Sequence, residues 1–211
     1  MCEINRINTI SLPRSGQHIL QAVLKYVFDN HGIQYSFCEF YGCCRTVPCK
    51  YNKIIQKNHD FEDTYEILPD TKYVVLYKDD MILQLESWYR FELKISNTDY
   101  KYPDLIAFIK KHTQYYNNFK NKWVHTSNSN ILKIEYYDFV KNPVICIDKI
   151  MAHIRPLTVL NKSIINKIPD LKFSEYGKTR YKLAATPHKI KVLNVMPTEL
   201  YKKIKLDIQK N

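Results

Sequence analysis

The segment Ile10-Ser11-Leu12-Pro13-Arg14-Ser15-Gly16-Gln17-His18 is where residue types and spacing first suggest chemistry. Residues 8–12 read as a short strand. Ile19, Leu20, Val23, Leu24, Val27 and Phe28 then recur at the three- and four-residue spacing of a helix. A helix that starts directly after a strand gathers unpaired backbone N–H groups and the positive end of its dipole at one point. Gly16 lets the backbone fold close around an anion, while Arg14 and Ser15 add donors, so the turn reads as a phosphate cradle. The G-x-x-x-x-G-K-[ST] spacing of a Walker loop is absent. An ordinary strand-to-helix turn with a surface arginine is the competing reading.

A second concentration of reactive side chains is Cys38, Cys43, Cys44 and Cys49, spaced C-x4-C-C-x4-C. Zinc knuckles usually pair their cysteines two to four residues apart, which this spacing fits poorly. The opening residues MCEINRINTISLPRSG carry an acid at Glu3 and no long apolar run, so a secretory signal is not expected. Reduced thiols in a partly buried segment are therefore expected, in a cytoplasmic protein.

The elements that must hold these residues alternate. The helix after the loop is expected to stop at His31-Gly32, where glycine suits a left-handed cap. Strands are expected over 33–40 and, more briefly, 51–56. Tyr73-Val74-Val75-Leu76-Tyr77 has the continuous apolar character of a strand buried on both faces. Helices are expected over 81–93, 103–119, 143–154 and 197–208, with a strand at 131–136. Strand–helix alternation over 211 residues predicts a single α/β domain, a three-layer sandwich with a central parallel sheet. No stretch is long and apolar enough to span a bilayer.

Charge is the least specific signal. There are 32 basic and 21 acidic residues, a formal +11, and 12 minus 4 of these charges, or +8, fall in residues 161–211. A basic rim around an anionic ligand and a lysine-rich solvated face both fit. A nucleic-acid-binding tail is disfavoured, because only 6 of the 32 cations are arginine and no recognition motif accompanies them.

Four blocks taken in order resemble the sulfotransferases that use 3′-phosphoadenosine 5′-phosphosulfate (PAPS). Pro13-Arg14-Ser15-Gly16-Gln17-His18 resembles the family's P-[KR]-S-G-T-T loop for the 5′-phosphosulfate. Residues 54–60, IIQKNHD, resemble the strand that ends in K-[ST]-H and carries the catalytic histidine. Lys72 to Asp80, continuing to Ser87-Trp88-Tyr89-Arg90-Phe91, resembles the 3′-phosphate block. Leu132 to Pro143 resembles the Y-E-D-L-x-x-[DN]-P element. The resemblance covers residues 8 to 155, with a fainter echo at Phe173 to Lys178 of the R-K-G loop over the cofactor.

The resemblance implies a transferase moving a sulfuryl group from PAPS to a hydroxyl or amine of a small-molecule or carbohydrate acceptor, with no metal and no nucleic-acid partner. It implies His59 as general base, Lys57 at the sulfuryl group and Arg14 on the developing charge. It assigns the cofactor to Arg14, Ser15, Gly16, Gln17, His18, Lys78, Ser87, Gly177 and Lys178, with the basic segment 161–211 covering the site. The chain departs from the pattern at five positions. Gln17 and His18 replace two hydroxyl residues, Lys78 replaces an arginine, Asp80 replaces a proline, and Glu175 replaces the arginine of the last loop. A small kinase-like enzyme and a non-catalytic anion binder on the same fold are the alternatives. The kinase reading lacks a Walker Lys-[ST] pair and a clear acidic magnesium site.

Overall fold

The structure, a computed structural model, describes residues 6–61, 63, 65–156, 158–168 and 196–209. Five parallel strands form its centre: β1 (Arg6–Ser11), β2 (Phe37–Glu39), β3 (Ile55–Asn58), β4 (Thr71–Tyr77) and β5 (Ile131–Glu135), in the spatial order β2-β3-β1-β4-β5. β1 lies between β3 and β4, with Ile7 opposite Ile55 on one side and Ser11 opposite Leu76 on the other. After β1 the chain winds to one side of the sheet, and after β3 it crosses to the other. Such a reversal opens a crevice at the carboxyl ends of the central strands.

The strand–helix alternation and parallel pairing expected from the sequence are both present. On one face, Ile7, Val74, Leu76 and Ile134 pack against α1 (Gln17–Asn30), α4 (Tyr136–Lys141), α5 (Pro143–Ile154) and the short α6 (Lys162–Ile165). On the other, Ile10, Leu12, Tyr73 and Val75 meet Tyr116, Phe119 and Trp123 of the helical stretch that begins with α3 (Tyr102–Phe119). Successive β4 residues thus serve opposite cores, which is why the run is apolar without alternation. α2 (Met81–Ser96), α3 and α7 (Thr198–Gln209) share a third apolar cluster around Leu85, Leu105, Ile109 and Ile204.

Three boundaries differ from expectation. The second strand keeps only Phe37–Glu39 of residues 33–40, because Ile33 N–H caps α1 by donating to Phe28 O (2.9 Å) and Ile33 and Tyr35 pack back on that helix's core. The third strand lies at Ile55–Asn58 rather than 51–56, and its Gln56, Lys57 and Asn58 are all buried. α3 runs on into a π-helical turn, Lys120–Val124, which brings Trp123 inward. No helix among the described residues is long and apolar enough to cross a membrane.

Candidate functional site

At the carboxyl end of β1 the chain turns sharply through residues 12–16. Ser15 N–H donates to Leu12 O at 3.2 Å, and Arg14 and Gly16 both take left-handed backbone angles, φ 67° and 84°. Gly16 is the N-cap of α1, and no side chain caps that helix. A Cβ at Gly16 would lie 2.6 Å from the ring of Tyr136, so both the backbone angle and the close approach demand glycine.

Two glutamines hold this loop from behind. The buried Gln17 side chain donates from Nε2 to Thr9 O (2.5 Å) and Asn58 O (3.2 Å) and accepts from Ser11 Oγ (3.0 Å). It therefore ties α1 to β1 and β3. Its amide faces the sheet, which leaves its backbone N–H as its donor at the helix start. Ser15 is likewise buried and donates to Gln84 Oε1 at 2.8 Å, while Gln84 Nε2 donates to Pro13 O. These contacts use the side chains of Ser15 and Gln17. The donors facing the crevice are the helix-start N–H groups and Arg14.

Arg14 stacks over Phe91 of α2, 4.6 Å from the ring centroid. Partial enclosure lowers its pKa, with Tyr136 opposing the change. The buried Lys78, just past β4, lies 5.1 Å from the centroid of Tyr136. Burial and then Arg14 lower its pKa to about 8, against the pull of Glu86 and Glu135. Tyr136 is thus a shared floor for Gly16 and Lys78. Ser87 sits on α2 between Gln84 and Phe91 in helical register, on the face that meets the loop. Asp80 caps α2 by accepting from Leu83 N–H at 2.9 Å and also accepts from Tyr201 at 2.7 Å.

On the β3 side of the loop, the Lys57 ammonium reaches Glu39 Oε2 at 3.3 Å and His18 Nε2 at 3.1 Å. Burial lowers the Lys57 pKa, and Glu39 opposes the drop. His59 lies two residues on, just past the end of β3. Its Nδ1 meets Ser11 O at 2.7 Å, a geometry that puts the proton on Nδ1 and leaves Nε2 as the basic nitrogen. Burial, and then the nearby Lys57 cation, push its pKa down to about 4, while the bond to Ser11 works the other way. The ring is neutral at physiological pH.

The backbone around His59 is pinned on several sides. Asn58 Oδ1 accepts the N–H groups of His59 (2.7 Å) and Asp60 (3.0 Å), and Tyr115 Oη donates to His59 O at 2.6 Å. Buried Asp60 accepts from Trp123 Nε1 at 2.8 Å and pairs with Lys122 at 2.8 Å. Phe61 stands 5.4 Å from the His59 ring, and Trp88 and Tyr115 flank Phe61 at 5.8 and 5.6 Å, so an aromatic wall borders His59.

Of the residues singled out in the sequence, Arg14, Ser15, Gly16, Gln17, His18, Lys57, His59, Lys78 and Ser87 gather at this end of the sheet. Gly177 and Lys178 lie outside the described residues. Sequence reasoning missed Ser11, Glu39, Gln84, Phe91 and Tyr136. Gln84 and Phe91 could have been found from helical spacing to Ser87. Glu39 had no local signal.

No family model matches the chain, and no curated protein matches it significantly. Solved structures do. A mouse sulfotransferase, SULT7A1, in complex with PAP aligns over 100% of this chain and 86% of its own, with a TM-score of 0.60 at 16% identity. Sulfotransferase domains of the curacin biosynthetic pathway and of the Synechococcus PCC 7002 olefin synthase each align with a TM-score of 0.46, at 14% and 13% identity. They cover 98% and 96% of this chain and 98% and 94% of theirs.

Proposed function

We propose that this chain, which has the sulfotransferase fold, is a transferase that moves a sulfuryl group from PAPS to a hydroxyl of a small-molecule acceptor. The observation that carries the reading is the convergence, at the carboxyl ends of β1, β3 and β4, of a glycine-turned helix start with Arg14, Lys57, Lys78 and a neutral histidine. The donor set fits a nucleotide bearing two separated anionic groups. Arg14 and the α1 N–H groups suit the 5′ end, while Lys78 and Ser87, one strand over, suit the 3′-phosphate. Gly177 and Lys178 complete the reading from sequence alone.

PAPS supplies a sulfuryl group whose S–O bond to phosphate breaks as the acceptor oxygen bonds to sulfur. The electron pair of the broken bond goes to the phosphate oxygen, where Arg14 and the helix N–H groups would oppose the growing charge. His59 Nε2 takes the acceptor's proton, held for that task by Ser11 O on the opposite ring nitrogen. Lys57, drawn from Glu39 toward the transferring group, would neutralise the sulfuryl oxygens. The aromatic wall of Phe61, Trp88 and Tyr115 suits an acceptor with a flat apolar face.

A non-catalytic anion binder is the second reading, favoured by the inward-turned side chains of Ser15 and Gln17. Calorimetry with 3′-phosphoadenosine 5′-phosphate, ATP and a short DNA duplex tests the proposal. Binding of the first alone is expected, and Arg14→Ala should weaken it roughly tenfold or more, the value of one charge-assisted contact. Equal affinity in the variant would remove the loop from the site. Nucleotide binding without turnover across a broad acceptor panel would establish the second reading.

A further inference from the structure

At the edge of the sheet beyond Lys57, the chain brings together side chains that the transfer reaction does not use. Cys38, Cys43, Cys44 and Cys49 place their four sulfurs all within 4.8 Å of one another. The Cys38 and Cys44 sulfurs are 3.8 Å apart. A tetrahedral ion with metal–sulfur bonds of about 2.3 Å sets its thiolates about 3.8 Å apart, so this quartet is within a small side-chain adjustment of that geometry. A polynuclear iron–sulfur cluster would hold its thiolates farther apart, around its own sulfides. We propose that Cys38, Cys43, Cys44 and Cys49 bind one zinc ion as a structural four-thiolate site.

The spacing disguised this arrangement, because the usual knuckle pairs cysteines across a two- to four-residue gap. Here the 3₁₀ turn Phe40–Gly42 returns the chain on itself. Cys43 and Arg45 N–H both donate to Phe40 O, at 3.3 and 3.1 Å, which carries Cys43 and Cys44 back to Cys38. A second bend then delivers Cys49. Gln56 Nε2, on the neighbouring strand, donates toward Cys38 Sγ at 3.7 Å and to Thr46 O at 2.6 Å, the carbonyl that also accepts from the Cys44 thiol at 3.6 Å. An amide donor such as Gln56 Nε2 orients a thiolate and offsets its charge. Cys38 and Cys49 are buried, and Cys43 is exposed, which leaves an entry path.

The donor set is all sulfur, the choice of soft and borderline ions rather than magnesium or calcium. Uptake moves no electrons. Four thiols lose four protons, and the product carries a charge of −2, which the basic chain tolerates. The cross-link also has something to hold. Residues 40–54 contain one short 3₁₀ helix as their only regular element and contribute Phe40 and Cys49 to the buried core, too little to fix the segment by packing alone. Cys38 adjoins Glu39, the partner of Lys57, so the ion would also anchor that carboxylate.

The test is elemental analysis of protein purified without a metal-affinity tag and passed over a sizing column in chelator. One zinc per chain is expected. Exchange with cobalt(II) should give the intense visible bands of a tetrahedral tetrathiolate. Cys43→Ser, at an exposed position where no packing is lost, should weaken cobalt affinity by roughly tenfold or more while the far-ultraviolet circular dichroism is unchanged. Should that variant fail to fold, the wild-type cobalt spectrum alone decides. Metal-free protein that gives no cobalt spectrum would overturn the proposal. So would disulfides among these cysteines by mass spectrometry, or cobalt affinity unaltered in folded Cys43→Ser.

Discussion

His59 offers a test that needs no knowledge of the acceptor. Its pKa is pushed from 6.5 to about 4, by burial first and by Lys57 second. In the unfolded chain the same imidazole titrates near its ordinary value. Between these two pH values the unfolded state holds a proton that the native state does not, so stability must fall as pH falls. The slope at full effect is about 1.4 kcal/mol per pH unit, which comes to about 3 kcal/mol across the window. The contribution is complete above pH 6.5 and lost on approach to pH 4. His112 and His153, also lowered by burial, act in the same direction, and Glu135, raised by burial, acts in the opposite one. A difference measurement isolates the one histidine. Urea unfolding of wild type and His59→Gln should be run from pH 7.5 to 4.5, the glutamine being neutral throughout. The wild type should lose stability faster than the variant on acidification. A second arm uses Lys57→Met: the His59 ring resonance, identified by its loss in His59→Gln, should titrate above 4 yet still below 6.5, because burial is the larger cause. Equal pH slopes in wild type and His59→Gln, or a wild-type resonance that titrates at 6.5, would refute the enclosed, neutral base. The acid limb of any turnover profile should accordingly lie near pH 4.

Two substitutions behind the loop give independent checks. Gln17→Leu strands the Ser11 hydroxyl and two backbone carbonyls in a buried place, so unfolding free energy should drop by about 2–4 kcal/mol in urea titration. Gly16→Ala forces a side chain onto φ 84° and into the Tyr136 ring; it should cost about 1–3 kcal/mol, and Tyr136→Leu in the same chain should recover the steric part only, as read in a double-mutant cycle.

The sulfotransferase fold was legible because its markers are local. A strand, a glycine turn and an amphipathic helix announce themselves within twenty residues, and β4 is apolar because both of its faces are buried. The third strand was misplaced for a reason tied to the site. Gln56, Lys57 and Asn58 are polar residues buried by the network around the loop, and hydrophobic pattern cannot flag them. Gln17 reads as a cofactor contact through its backbone N–H, and its place on the helix does not tell that its amide turns inward to β1 and β3. The departure at Asp80 became intelligible once its carboxylate was seen capping α2. Glu39 and the convergence of the four cysteines depend on how an irregular segment folds back, which no periodicity encodes.

The paired amides of Gln17 and Gln84 have a consequence for affinity that involves no contact with a ligand. Each fixes the loop through carbonyls of the chain itself, Thr9 and Asn58 for one and Pro13 for the other. The conformational entropy of ordering the helix start is therefore settled during folding, before any anion arrives. On the proposed function, an incoming phosphate would then meet a population already in the competent shape. If either amide is lost and the loop is correctly formed for only a fraction of the time, the apparent Kd rises as the inverse of that fraction, although every group that touches the ligand is intact. On the proposed function, variation at these two buried positions would thus tune nucleotide affinity from behind, in proportion to local stability rather than to charge.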